Sequence, residues 1–334
     1  MDILVDLVGL AFGIAALVWS ADIFVGGSAS LARRLGVPPL IVGMVVLGFG
    51  TSMPEMLVSA LSAIEGSPSI ALGNAYGSNT ANIGLILGVT AALAPVAVAR
   101  SVTRRELPVL VAATALCWPL LSDGALSRMD ALILLAAFAI AMAMNMRGQK
   151  GDELDVGCEV TSNEASRASL GLLLLKVIGG LVILIGSSRL LVVSAMGLAK
   201  AIGVPDLVVG LTVVAVGTSL PELAASIAAV RRREHDLVIG NIIGSNLFNT
   251  LAVVGIACAI SPMDGEASAR TIADVCRRDL PFVCAATLLM GLFCIPRRRG
   301  SKALIGRWMG VALLLLYAAY VVVLVRPLAI GSGR

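Results

Sequence analysis

The sequence predicts an all-α membrane protein of ten transmembrane helices arranged as two inverted five-helix repeats. Three observations carry that expectation. Of 334 residues, 58% are hydrophobic and 14% charged, with mean hydropathy +0.97, which leaves too little polar material for a water-facing surface. The apolar residues fall in runs close to the ~20 residues a bilayer span requires. The chain also matches itself at an offset of 167 residues. A soluble globular enzyme is excluded.

Taken in order, the runs place spans near 3–34, 38–64, 69–93, 105–122, 128–146, 168–201, 204–229, 236–260, 279–294 and 303–325. The first twenty residues hold Asp2 and Asp6 but no Lys or Arg, so they read as a membrane helix and not as a cleaved signal. The second and seventh spans are each interrupted by a proline, and the third and eighth open with Gly-Ser-Asn motifs. The sixth carries Lys176 and Arg189 within it. The polar interval 147–167 separates a first repeat, residues 1–146, from a second, residues 168–334, as a cytoplasmic linker.

With the loops assigned alternately, 16 of the 25 Lys and Arg residues fall on the inside and 7 on the outside. That bias puts both termini on the extracytoplasmic side of a cell inner membrane. The basic clusters lie between apolar runs, which fits orientation in the lipid bilayer and excludes nucleic acid as a partner. Arg231–Arg233 and Arg297–Arg299 read as inside anchors. No obligate protein partner is evident. Six cysteines without a C-x-x-C and a single histidine, His235, exclude a disulfide framework, a His-based zinc site and a Ser-His-Asp triad. No cofactor is expected.

The self-match runs unbroken from 36–88 onto 203–255, with 20 of 53 positions identical. It contains Gly50-Thr51-Ser52-Met53-Pro54-Glu55, echoed by Gly217-Thr218-Ser219-Leu220-Pro221-Glu222. It also contains Gly73-Asn74-Ala75-Tyr76-Gly77-Ser78-Asn79, echoed by Gly240-Asn241-Ile242-Ile243-Gly244-Ser245-Asn246, with Asn82 and Asn249 following three residues on. Five spans separate the copies. Because five is odd, the second copy enters the membrane from the opposite face, the architecture that sets a shared site at the midplane.

An acid in the middle of a span is expensive without a functional partner, and Glu55 and Glu222 occupy matching positions. Pro54 and Pro221 free backbone carbonyls one turn earlier, beside the hydroxyls of Thr51, Ser52, Thr218 and Ser219. Asn82 and Asn249 lie one turn beyond Ser78 and Ser245 on the same helix face. Carbonyl, hydroxyl, amide and carboxylate oxygens together form a hard-cation set, which Ca²⁺ and also Na⁺ accept. Two carboxylates repel in an empty site and are neutralised by one Ca²⁺ or by two Na⁺, a basis for exchange; the same pair could exchange protons. A passive cation channel is the reading from another class. Asp22 and Arg189, equivalent at the same offset, either pair across the repeat axis or snorkel separately, and the second is preferred. His235 reads as solvated.

The motifs resemble the alpha-1 and alpha-2 repeats of the calcium/cation antiporter superfamily, particularly the short prokaryotic sodium/calcium exchangers. The resemblance implies an antiporter, not an enzyme, that exchanges Ca²⁺ for Na⁺ by alternating access. It implies that Glu55 and Glu222 serve both ions and that Thr51 and Thr218 give backbone oxygens to Ca²⁺. It implies further that Ser52, Ser78, Ser219 and Ser245 line Na⁺ sites and that Asn82 lies beside the centre. Many members carry Asp where this sequence has Asn249, so the resemblance argues against K⁺ co-transport and leaves a three-Na⁺ load poorly neutralised.

Overall fold

The computed structural model describes residues 3–147, 169–201, 215–296 and 303–331. Residues 148–167 of the expected linker and 204–214 of the seventh expected span lie outside them; Arg147 ends a helix instead. Helix α1 (Ile3–Leu35) is followed by α2, in two halves, Pro39–Thr51 and Met53–Ile64, and by α3 (69–93). Strand β1 (Val96–Val98) leads to α4 (102–121) and α5 (Arg128–Arg147). The second half of the chain gives α6 (Leu170–Ala201), α7 (Ala215–Thr218 and Leu220–Arg231) and α8 (His235–Ile260). It ends with α9 (266–293), strand β2 (Ala303–Ile305) and α10 (Arg307–Gly331).

Long apolar runs without proline make α1, α5, α6, α8 and the Arg307–Leu324 part of α10 continuous, and each is long and apolar enough to cross a bilayer. The two halves of α2, bent by 45°, together make a sixth among the described residues. Large apolar side chains such as Leu4, Phe12 and Trp19 stand exposed on α1, as lipid-facing residues do. The most apolar stretch of α8 is 89% buried against 22% for that of α1, so α8 lies at the centre of the bundle and α1 at its edge.

Several equivalent elements make equivalent contacts. α1 and α6 pack antiparallel: a methyl group on Gly13 would lie 3.3 Å from the Leu191 backbone, and one on Gly180 would lie 2.9 Å from Phe24 N. Those two contacts interchange under the 167-residue offset. α10 packs on α3, with Gly88 facing Leu314, and α5 packs on α8, with Gly255 facing Leu135. β1 pairs antiparallel with β2, Val96 opposite Ile305, tying the end of α3 to the start of α10; a bridge from Met263 to Leu126 ties the end of α8 to the start of α5.

Two expected boundaries shift. The tenth span does not begin at 303, because Ala303–Ile305 is extended and hydrogen-bonded to β1, and the helix starts at Arg307. The ninth begins earlier than 279, since a polar helical stretch, Glu266–Asp274, runs into it. Six residues are inserted in the second copy between Gly255 and Arg277, the interval that contains this stretch. Beyond it the copies match again at an offset of 173, Arg104-Arg105-Glu106-Leu107-Pro108 against Arg277-Arg278-Asp279-Leu280-Pro281. Both segments open with a π turn, 102–106 and 275–279, and both acids are buried. The Asp279 carboxylate accepts from Arg278 at 2.9 Å and from the Tyr320 hydroxyl at 3.0 Å.

Candidate functional site

The site begins with two broken helices. α2 breaks at Ser52 (φ −84°, ψ 1°) and α7 at the equivalent Ser219 (φ −92°, ψ 7°). Pro54 and Pro221 are the second residues of the resumed halves, where a missing N–H costs no helical hydrogen bond. Glu55 and Glu222 therefore fall in first turns, where free backbone N–H groups favour a carboxylate. Pro54 and Pro221 have no N–H to give the carbonyls of Gly50 and Gly217; Gly217 O accepts instead from the Ser188 hydroxyl at 3.0 Å, and the carbonyl end of each first half favours a cation. One break thus presents both the anion and the carbonyl oxygens that a cation would share.

The two breaks meet. The Ser52 hydroxyl on α2 donates to Glu222 Oε1 on α7 at 3.3 Å, and Glu55 and Glu222 are close enough for their charges to repel. The Thr51 hydroxyl is shared between Leu47 O at 2.9 Å and Asn241 Oδ1 on α8 at 3.3 Å. Ser245 on α8 donates to the Gly48 carbonyl at 3.4 Å. The turn that begins at Asn82 packs on α7, and the turn that contains Asn249 packs on α2, so each repeat supplies amides to the other's broken helix. Both turns are π-helical, 82–87 and 248–253, a rare geometry found mostly at functional positions.

Burial is close to complete. Glu55, Glu222, Thr51, Ser52, Ser219, Asn82, Ser245 and Asn249 are each at most 2% exposed; Ser78 is also buried, and Thr218 is half-buried at its break. Among the described residues, both carboxylate oxygens of Glu55, Oε2 of Glu222, the Ser219 hydroxyl and the whole amides of Asn82 and Asn249 have no hydrogen-bond partner. Buried polar atoms normally find one, so such a concentration around two acids marks a place for an external ligand. No cluster of three or more His, Cys, Asp or Glu residues occurs among the described residues. The donors on hand are two carboxylates, hydroxyls, amides and carbonyls, oxygen chemistry suited to a hard cation.

Sequence reasoning missed the residues that hold these ligands in place. Asn74 Nδ2 donates to Ser59 Oγ at 3.1 Å and to the Glu55 carbonyl at 3.3 Å; its equivalent, Asn241, donates to Ser226 Oγ at 3.2 Å. The amides thereby lock α3 to α2 and α8 to α7. Asn79 Nδ2 donates to Thr250 Oγ1 at 2.7 Å, joining α3 to α8, and the Oδ1 atoms of Asn79 and Asn246 are buried without partners. The signal was available, since both asparagines recur in both copies of the second motif. Gly240 and Gly244 serve backbone packing: a methyl group on either would lie 2.5 Å from the carbonyl of Leu40 or Met44 on α2. The segment of α7 equivalent to that partner lies outside the described residues.

Two peripheral expectations change. Asp22 neither pairs with Arg189 nor snorkels alone, but accepts from Arg232 at the end of α7, Nε to Oδ1 at 2.8 Å. The carboxylate holds the Arg232 guanidinium above its ordinary pKa, chiefly through this hydrogen bond. His235 is half-buried, with Nδ1 enclosed, and not fully solvated.

Broken helices that bring carboxylates, hydroxyls and amides to one buried point, inside a bundle of apolar helices, define a membrane transport protein for cations. Comparison with known proteins agrees. The family model "Sodium/calcium exchanger protein" matches residues 5–147 and 172–326. A protein named CaxA from Alkalimonas amylolytica is 39% identical, covering 95% of this chain and 98% of its own; the inner membrane protein YrbG of Escherichia coli is 36% identical over 91% and 92%. A solved structure of the sodium-calcium exchanger NCX_Mj, soaked with Na⁺ and Sr²⁺, superposes with a TM-score of 0.76 at 30% identity, covering 95% of this chain and 98% of that one. The chain belongs to the sodium/calcium exchanger family, a family of transmembrane antiporters.

Proposed function

We propose that the chain is an inner-membrane antiporter that moves Ca²⁺ against Na⁺ through one midplane site by alternating access. Ten spans would form two inverted repeats, residues 1–146 and 168–334, joined by a cytoplasmic linker, with both termini extracytoplasmic. The antiparallel packing of α1 on α6 supports the inversion. The reading rests on one observation: Glu55 and Glu222, from equivalent broken helices, are buried together among oxygen donors. Thr51 and Thr218 would add oxygens to Ca²⁺; Ser52, Ser78, Ser219 and Ser245 would line the Na⁺ positions, with Asn82 and Asn249 beside the centre.

A site of charge −2 is neutralised by one Ca²⁺ or two Na⁺, and an unloaded charged site crosses hydrocarbon poorly. That difference couples the two ions. Protons on the same carboxylates are the second reading, favoured by the fact that the site holds only two acids. Ca²⁺ uptake into proteoliposomes with imposed Na⁺ or pH gradients separates them: uptake should follow an outward Na⁺ gradient. Uptake that follows a pH gradient alone and ignores Na⁺ would establish the proton reading, and Ca²⁺ flux independent of any counter-ion would establish a channel.

A further inference from the structure

The offset that relates the two sites also relates two pairs of charges at the ends of the helices around them. Asp22 of α1 corresponds to Arg189 of α6. Arg232, the capping residue after α7, corresponds to Glu65, the capping residue after the second half of α2. Asp22 with Arg232, and Arg189 with Glu65, are therefore the same contact in the two repeats, with the signs exchanged.

Only the first is made in this structure. Arg232 binds Asp22 through Nε and Nη2, and its guanidinium lies against α1 at Gly26, where a methyl group would be 3.1 Å away. Beside it, Arg33 Nη1 donates to Glu234 Oε1 at 2.8 Å, a second tie from α1 to the turn after α7. Glu65 and Arg189 are both exposed and form no ion pair with each other. Helix packing has the same imbalance. α1 lies along the second half of α7, whereas α6 makes no comparable contact with the second half of α2 among the described residues.

The idle charges are poorly placed for any local purpose. Arg232 suits the carbonyl end of a helix, but Glu65 at the equivalent end is opposed by the helix dipole. Arg189 stands well inside a 32-residue apolar helix, where a charge is costly unless it reaches a partner or water. Each would be satisfied by the other.

We propose that these pairs are reciprocal latches. Asp22–Arg232 closes one mouth of the central site in this conformation; Glu65–Arg189 closes the other when α1 and α6 tilt toward α2 instead of α7. Half-exposed ion pairs are weak enough to be exchanged in every cycle. The exchange of signs has a consequence of its own: the α1–α6 unit carries one acid and one base at its latches, so its movement carries no net latch charge across the membrane. This inference rests on the alternating access proposed above, and adds the contacts that define its two end states.

Paired cysteines test it in the full-length chain in proteoliposomes: Asp22→Cys with Arg232→Cys, and Glu65→Cys with Arg189→Cys, the unsubstituted chain with its six native cysteines being the control. The first pair should cross-link under one ion gradient and the second under the reversed gradient, and either link should stop exchange until it is reduced. Glu65→Gln alone should slow exchange roughly two- to fivefold, the worth of an exposed ion pair. Glu65→Arg combined with Arg189→Glu should restore it. Absence of Glu65/Arg189 cross-linking under every gradient, exchange that persists through both links, or a swap that restores nothing would each overturn the latch. Because cross-linking reads conformation and not ion identity, gradient-dependent links in a protein that moves no Ca²⁺ would overturn the Ca²⁺/Na⁺ reading and leave the latch standing.

Discussion

Glu222→Gln removes one of two buried charges while keeping the side chain's size and an oxygen to accept from Ser52. With Ca²⁺ at ~4 Å from the lost charge and an effective dielectric of ~20, the missing attraction is about 8 kcal/mol. The repulsion between Glu222 and Glu55, about 3 kcal/mol at ~5 Å, is relieved in the empty and the loaded site alike and so does not offset this loss. A loss of ~8 kcal/mol corresponds to roughly 10⁵–10⁶ in Ca²⁺ affinity. The protein should still insert and fold, since the substitution removes a buried charge and leaves the Ser52 hydrogen bond possible. Ca²⁺ binding by calorimetry and Na⁺-driven Ca²⁺ uptake by the purified variant measure the effect, with gel filtration as the check on folding. A folded Glu222→Gln variant that binds Ca²⁺ within tenfold of the unsubstituted protein would refute the shared carboxylate site.

Glu55→Gln should behave as Glu222→Gln does, because the two acids occupy equivalent first turns; unequal losses in uptake assays would mean that the halves do not share the ion evenly. Gly244→Val should reduce the yield of folded protein in detergent, since even a methyl group there would lie 2.5 Å from the Met44 carbonyl. Asn79→Ala should lower thermal stability by about 1 kcal/mol through loss of the bond to Thr250, read as a shifted unfolding midpoint. Asn249→Asp should add a third acid to the site and make exchange sensitive to membrane potential or pH; unchanged coupling in both assays would remove Asn249 from the ion path.

The central site was legible because its signals are local and repeated. Pro54 and Pro221 announce a break, Glu55 and Glu222 an acid in a span, and the offset of 167 pairs them. The structure adds that each break falls at the serine, which brings the acids into first turns. Less legible were contacts between positions with no common spacing. Asn74 and Asn241 were visible as repeated residues, but their bonds to Ser59 and Ser226 cross from one helix to the next, and nothing in the spacing specifies that crossing. The matching segments around Glu106 and Asp279 escaped a fixed offset because six inserted residues moved them to 173. Asp22, which the sequence reads as snorkelling alone in preference to pairing with Arg189, was misread for a similar reason. Its equivalent, Arg189, was found, but its partner lies on a third helix whose end is brought near only by packing.

Under the alternating access proposed above, the repeat lets a single set of ligands serve both faces of a membrane. Each broken helix carries its acid at the amide end of one half, next to the carbonyl end of the other, so either repeat alone would offer a half-site of charge −1. Joining two such half-sites matches a divalent ion or a pair of monovalent ions, and the cross-repeat contacts, Ser52 to Glu222 and Thr51 to Asn241, keep them joined. The helices that carry the ligands are buried and interlocked by α2–α8 backbone contacts at Gly43, Gly48, Gly240 and Gly244, which leaves them little freedom to move. α1 and α6 have their largest contact with each other and extensive lipid-facing surface. In the proposed cycle the least costly motion is therefore a slide of the outer pair over a fixed site, which would leave the ligand geometry, and with it ion selectivity, the same on both sides.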